Sequence, residues 1–236
     1  MKDSINVYWC LNELEEGYSP SIPFLISPPS PVIPDYSKIV LKEGHSYKEY
    51  LKCPAFQNEF TNTFIYKAFK DITLDIDPKT NKPTDLNNAA FVFDPHVKRI
   101  SMPAYTAFFS DQSLEMSLIP ASLHSNNFID NSKVFSGKYN IGKWFRPIHI
   151  DFIAKNPQIN IKKGDAIFYL KFNTDKKINF INFEFNNKIS KISDACADLK
   201  SVQPGYRFKE IYNMFTRIGY HKKLLKEIKK SITPLK

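Results

Sequence analysis

His149 and Asp151 stand two residues apart in the run Pro-Ile-His-Ile-Asp-Phe. On a β-strand that spacing sends both side chains to one side, which is how a strand presents two of the three ligands of a non-haem iron centre. The third should be a distant histidine on a later strand, followed by a basic residue for the carboxylate of a keto-acid co-substrate. The only histidine that follows is His221, inside a lysine-rich segment. His149 and Asp151 are thus candidate metal ligands, for Fe, of an incomplete set. A polar pair on a solvated strand face, matched across to its neighbour strand, is the competing reading.

Gly137-Lys-Tyr-Asn-Ile-Gly142-Lys143 matches the first seven positions of a phosphate-binding loop. The eighth should be Ser or Thr, to hold magnesium, and is Trp144. An alternating strand follows in place of the helix whose N-terminus would face the phosphates, so the motif reads as a bend entering a strand. Within it Lys143, Trp144 and Arg146 are candidate ligand-binding residues, since cations beside aromatic faces suit anionic or ring ligands. The alternative is a structural corner with Trp144 in the core.

Asp75 and Asp77 open a stretch that resembles a calcium loop, but Lys79 and Leu86 occupy positions that need a ligand and a bidentate glutamate. No Gly-x-Ser-x-Gly elbow occurs. Cys10, Cys53 and Cys196 are too widely spaced for a paired zinc site and odd in number for a disulfide framework. They read as buried small hydrophobes. Whether any of them meets His45, His96, His124 or His149 depends on the fold.

The chain of 236 residues has a net charge of +9, and the charge is local. From Arg207 to the end there are nine Lys/Arg against two Glu, a net of +7, which leaves +2 for everything before. Lys222, Lys223, Lys226, Lys229 and Lys230 are therefore candidate nucleic-acid-binding residues. Lysines outnumber arginines 29 to 4, whereas readers of base sequence exploit the forked arginine, and the excess also fits an AT-rich genome. Hydrophobic content of 42% predicts a chain that folds unaided. Twenty Phe and twelve Tyr against seven Gly favour aromatic-packed strands. No window approaches the roughly 18 apolar residues of a membrane span, and the chain reads as intracellular, with no membrane partner.

Stepping by two, Leu114, Met116 and Leu118 define one half-buried strand, and Ile148, Ile150 and Phe152 another with His149 and Asp151 outward. Strand-like runs also cover residues 5–11, 63–69, 72–76, 89–93 and 99–109. Gln158–Ile161 and a run in which Ala166, Phe168, Leu170 and Phe172 share a face read as two strands joined by a tight turn at Lys163-Gly164-Asp165. Ile181, Phe183 and Phe185 are out of phase with Ile178 and Phe180, which predicts a bulge or a turn near Asn179. Six prolines between 20 and 34 predict an extended segment packed on the domain, not a helix. After Asn187 the period becomes helical through Ile189, Ile192, Cys196 and Leu199. A second helix turns Phe208, Ile211, Tyr212, Phe215 and Ile218 to the core, with a kink at Gly219 before the lysine-rich tail. The expectation is a mainly-β protein, an antiparallel β-sandwich or jelly roll over 1–187, followed by a segment of two C-terminal α-helices with a basic tail over 188–236.

Tyr50-Leu-Lys-Cys-Pro-Ala55, Asn62-Thr-Phe-Ile65, Gly142-Lys-Trp-Phe-Arg-Pro147 and Lys163-Gly-Asp165 resemble a family of uncharacterised proteins from tailed marine bacteriophages of T4-like type. The likeness spans about residues 5 to 200. The later part is also similar in outline to cupin-like and jelly-roll domains. The resemblance implies a viral origin, location in the host cytoplasm or the virion, and no catalytic residues to transfer. With no complete catalytic constellation, the sequence reads as a non-enzymatic protein acting through protein partners, as a homo-oligomer or virion component in assembly or host takeover. A cupin-like oxygenase using iron and a keto acid, and a nucleic-acid-binding accessory protein using the basic helix, are the alternatives.

Overall fold

The computed structural model describes residues 4–11, 28–42, 51–80, 82–84, 92–202 and 207–232. Its first half contains β1 (Ser4–Leu11), β2 (Ser30–Pro31), α1 (Val32–Lys42), α2 (Pro54–Glu59), β3 (Thr63–Lys67), β4 (Ile72–Asp75), β5 (Val92–Asp94), β6 (Arg99–Ser110) and β7 (Glu115–Pro120). Then come α3 (Asn127–Asn131), β8 (Ser132–Val134), β9 (Gly137–Asn140), β10 (Pro147–Ala154), β11 (Gln158–Ile161), β12 (Ala166–Phe172) and β13 (Lys177–Asn182). Three helices close the chain: α4 (Asn187–Val202), α5 (Phe208–Arg217) and α6 (Tyr220–Lys230).

Sheet A runs β13-β1-β6-β10-β8, with β5 also on β6; sheet B runs β2-β3-β12-β7-β9; β11 and β4 form a third, two-stranded sheet. Among the described strands pairing is antiparallel except between β1 and β13. One apolar core joins the sheets, taking Val7 and Trp9 from β1, Phe108 from β6, Phe152 from β10, and Phe168 and Leu170 from β12. The protein is a mainly-β sandwich of jelly-roll-like outline. Both sheets are also covered on the outside. Helices α4, α5 and α6 pack on sheet A over Tyr8, Cys10, Phe109, Phe145 and Phe183, while α1 lies on sheet B over Ile65, Ala166 and Tyr169.

These outer layers explain where the pattern misleads. In β13, Ile178 and Phe180 face the sandwich core, whereas Ile181 and, just beyond the strand, Phe183 face the helices. The register with β1 is unbroken from Lys177 to Asn182. A strand with apolar side chains packed on both faces has no single phase, so the predicted bulge is absent there. The tight turn at Gly164 (φ +91°) does not make a hairpin: β11 pairs with β4 and β12 with β3, so two paired strands bend together across Ala68 and Asp165. A register shift between Ala166 and Phe168 moves Ala166 to the outer face.

The extended reading of 20–34 gives way at Val32, where α1 begins; residues 20–27 lie outside the described residues. Pro34 sits in the first turn of α1, where a missing N–H removes no helical hydrogen bond. The kinked second helix is two helices, because Gly219 (φ +80°) separates α5 from α6 in a left-handed conformation that glycine adopts without strain. Ile218 consequently ends α5 exposed and not in the core.

A central strand with a proline needs a local remedy. Pro103 lies in β6, and the register slips where Pro147 pairs with Ala107 but His149 with Pro103. The carbonyl of Ala104, freed in this bulge, accepts the Tyr66 hydroxyl (2.9 Å) and the Thr106 hydroxyl (3.1 Å). Tyr66 is fully buried on the opposite sheet, so this bond ties the two layers. Tyr66→Phe is expected to lower unfolding free energy by about 0.5–1.5 kcal/mol, the net worth of one hydrogen bond, since the Thr106 hydroxyl still serves the Ala104 carbonyl; urea denaturation checks it, and a change under a few tenths would remove the bond's assigned role.

Candidate functional site

The five lysines of the basic segment fall on one helix. At about 100° per residue, Lys222, Lys223, Lys226, Lys229 and Lys230 span an arc of about 120° on α6, and all five are exposed. The opposite face carries Leu224 and Ile228, fully buried in the helical layer, with Tyr220 and Leu225 packed beside them. Docking of the apolar stripe thus fixes the lysine stripe outward. Lys188 and Lys191, exposed on α4, extend the positive surface. The Glu227 carboxylate stands among them and bonds Lys230 at 2.8 Å. That bond, with the charges of Lys230, Lys188 and Lys226, holds its carboxyl below the usual glutamate range.

An ordinary solvated helix face alternates signs and gains from Glu–Lys pairs three and four residues apart. Here Lys226 has lysines at 222, 223, 229 and 230, four like-charge pairs that each weaken the helix by roughly 0.2–0.5 kcal/mol. Lys222 and Lys223 also sit in the first turn, which contains no acidic residue, against the positive end of the helix dipole. These repulsions cost the helix, with Glu227 and the last-turn positions of Lys229 and Lys230 offsetting part of them.

The metal and ligand candidates fare differently. His149 and Asp151 alternate outward on β10 as expected while Ile148, Ile150 and Phe152 enter the core. His149 Nδ1 lies 3.2 Å from the Ser101 hydroxyl, and Asp151 lies 3.6 Å from Arg99. Both are engaged across strands β10 and β6. Among the described residues no group of three His, Cys, Asp or Glu side chains is gathered to hold a metal ion. Trp144 is buried against Phe215 of α5, ring centres 6.1 Å apart. Arg146 borders a cavity of about 10 Å³ lined by Phe108, Met116, Tyr139 and Ile148, room for one water at most. Lys143 lies in the half-buried turn before β10.

Gly142, second glycine of the phosphate-loop look-alike, has a packing reason: a Cβ there would overlap the backbone carbonyl of Gln112. Asp77 accepts the Lys79 N–H and the Thr80 hydroxyl, bonds that build a turn. Cys10 and Cys196 are buried, and burial pushes the Cys196 thiol up to about 12 and that of Cys10 further, so neither is a thiolate at neutral pH. Cys53, expected to be buried, is exposed at the start of α2 because Pro54 opens that helix at the surface.

One constellation escaped the sequence. Asp35 of α1 bonds Lys67 of β3 (2.8 Å) and approaches His124 Nε2 (3.4 Å). His124 Nδ1 lies 2.6 Å from the hydroxyl of Tyr169 on β12, which accepts the Leu123 N–H (3.1 Å). These residues lie 32 to 89 positions apart where they bond Asp35, and 45 where His124 meets Tyr169, so no local motif marks them.

Fold and site define a class: a jelly-roll-like sandwich with a docked helical layer whose outermost helix exposes a lysine face. Compared with known proteins, the chain matches no family model and no curated sequence.

Proposed function

We propose that the protein is a non-enzymatic nucleic-acid-binding accessory protein that grips phosphate backbone, without reading sequence, through the lysine face of α6. The observation that supports this is the five-lysine stripe held outward by a buried apolar one on the same helix. Protein interfaces are depleted in lysine at their centres and enriched in aromatic residues and arginine, so this face suits phosphates better than the protein partners the sequence first suggests. Lysine as a point charge contacts phosphates without the bidentate geometry that specifies a base. The motif resemblance to T4-like phage proteins makes an infected host cytoplasm the natural setting, with the virion as the alternative.

Four phosphate contacts give a slope of about −3.6 in log affinity against log salt, so duplex binding should weaken roughly 150-fold between 50 and 200 mM salt. Fluorescence anisotropy with random-sequence duplexes measures this. A slope near zero, or binding confined to one sequence, would contradict the reading.

A further inference from the structure

The outer face of sheet B is covered by α1 over only part of its area. Along β12, Leu170 and Phe172 enter the sandwich core, as do Met116 and Leu118 along β7, so Lys171 and Ser117 between them point outward. Lys171 pairs with Ser117, and Ser117 with Lys138 of β9. The three make one row across three strands, with the lysine Cα atoms about 10 Å apart, two strand spacings. The small serine in the middle leaves a gap between two ammonium groups.

That gap floors an open cleft of about 330 Å³. One wall is Asn58 of α2 and Thr61 just after it; the other is the loop 173–175 that follows β12. Asn62 clamps the walls together. It sits in the left-handed region (φ +50°), and its Nδ2 donates to the carbonyls of Thr174 (2.5 Å) and Lys176 (2.9 Å). Its own carbonyl accepts the Phe172 N–H (3.0 Å), and the Asn173 N–H donates to the Glu115 carbonyl (3.0 Å). The cleft is therefore formed before anything enters it, which lowers the cost of binding.

Among the described residues the lining carries Lys138, Lys171 and Asp175 as its charged groups. Carboxylates from outside the lining hold both lysines: Glu59 bonds Lys171 (2.9 Å) and Glu115 approaches Lys138 (3.4 Å). An ammonium group has three donors, so each lysine keeps hydrogens for a ligand. The Lys171 stem is packed, its side chain 32% exposed, so little rotamer freedom remains to be lost. A phosphate monoester, with a charge near −2 at about pH 7.5, suits two lysines and a serine hydroxyl. Asp175 and Asn58, on opposite walls, offer an acceptor and an amide to sugar hydroxyls. We propose that this cleft binds a small phosphorylated sugar, its phosphate over Ser117 between Lys138 and Lys171 and its hydroxyls toward Asp175. The site lies on sheet B and does not depend on α6, which packs on sheet A.

Ribose 5-phosphate titrated into the ¹⁵N-labelled protein at 150 mM salt tests this. Amides of 115–118, 137–139 and 171–175 should shift saturably with a Kd below about 1 mM. Inorganic phosphate should move the same row more weakly, and ribose should not move it. Lys171→Met and Lys138→Met should each weaken ribose 5-phosphate binding by about tenfold or more. Asp175→Asn should weaken ribose 5-phosphate without weakening inorganic phosphate. Glu115→Gln releases Lys138 and should tighten ribose 5-phosphate by about threefold, a gain that a misfolded variant cannot produce. Duplex binding by α6 is read from other amides, so either reading can fail alone. No saturable shift up to about 10 mM, ribose binding as well as its phosphate, or unchanged affinity in Lys171→Met would each overturn the proposal.

Discussion

Lys226→Glu is expected to make the protein more stable and worse at binding nucleic acid. Lys226 stands at the centre of the α6 stripe, with lysines three or four residues away on both sides. Reversing its charge converts four repulsions into four attractions, and at roughly 0.2–0.5 kcal/mol for each repulsion lost and each attraction gained the helix should gain roughly 2–4 kcal/mol. Gel-shift affinity at 50 mM salt should fall at least about tenfold, the worth of one lost phosphate contact at that ionic strength. Thermal melting and affinity measured on one preparation separate the outcomes. A surface whose lysines serve only solubility would show the stability gain with no change in binding. Opposed changes mark residues retained for a partner.

Trp144→Ala is expected to remove about 3–5 kcal/mol, and to remove it unevenly. The Trp144 ring packs in the cluster between sheet A and the helices, against Phe215, whereas Trp9, the other tryptophan, belongs to the sandwich core. Losing Trp144 should therefore undock α5 and α6 before the sheets yield. Because α6 presents its lysines through the docked face, binding should weaken although no lysine has changed. A Trp9→Phe variant leaves Trp144 as the sole indole reporter. Its emission should follow the helical layer through a urea titration and shift before β-sheet circular dichroism is lost. Simultaneous loss of both signals would show that sheet A and the helices unfold as one unit.

Trp144 also shows what the sequence could carry. Its place beside Lys143 and Arg146 suggests a ligand corner, and the same three residues serve a structural one; only the arrival of Phe215 from 71 positions away decides between them. Strands with one buried face were legible because period-two alternation has a single meaning there: β10 follows it residue by residue, and β7 as far as Ile119. Legibility fails where both faces carry packed apolar side chains, as in β13, and where a bulge shifts phase, as at Ala166. The lysine stripe of α6 was legible because it is local, five cations within nine residues. The Asp35–His124–Tyr169 chain was not, since its members come from α1, a turn and β12, and each alone reads as an ordinary polar or aromatic residue.

The location of the contact tests the account most directly. A random-sequence DNA duplex titrated into the ¹⁵N-labelled protein at low salt should shift the amides of α6 from Tyr220 to Lys230 and those around Lys188 and Lys191 on α4, and restoring 200 mM salt should return them. Shifts centred on sheet B, on the β9–β10 corner around Lys143 and Arg146, or no shifts at 50 mM salt would contradict the account.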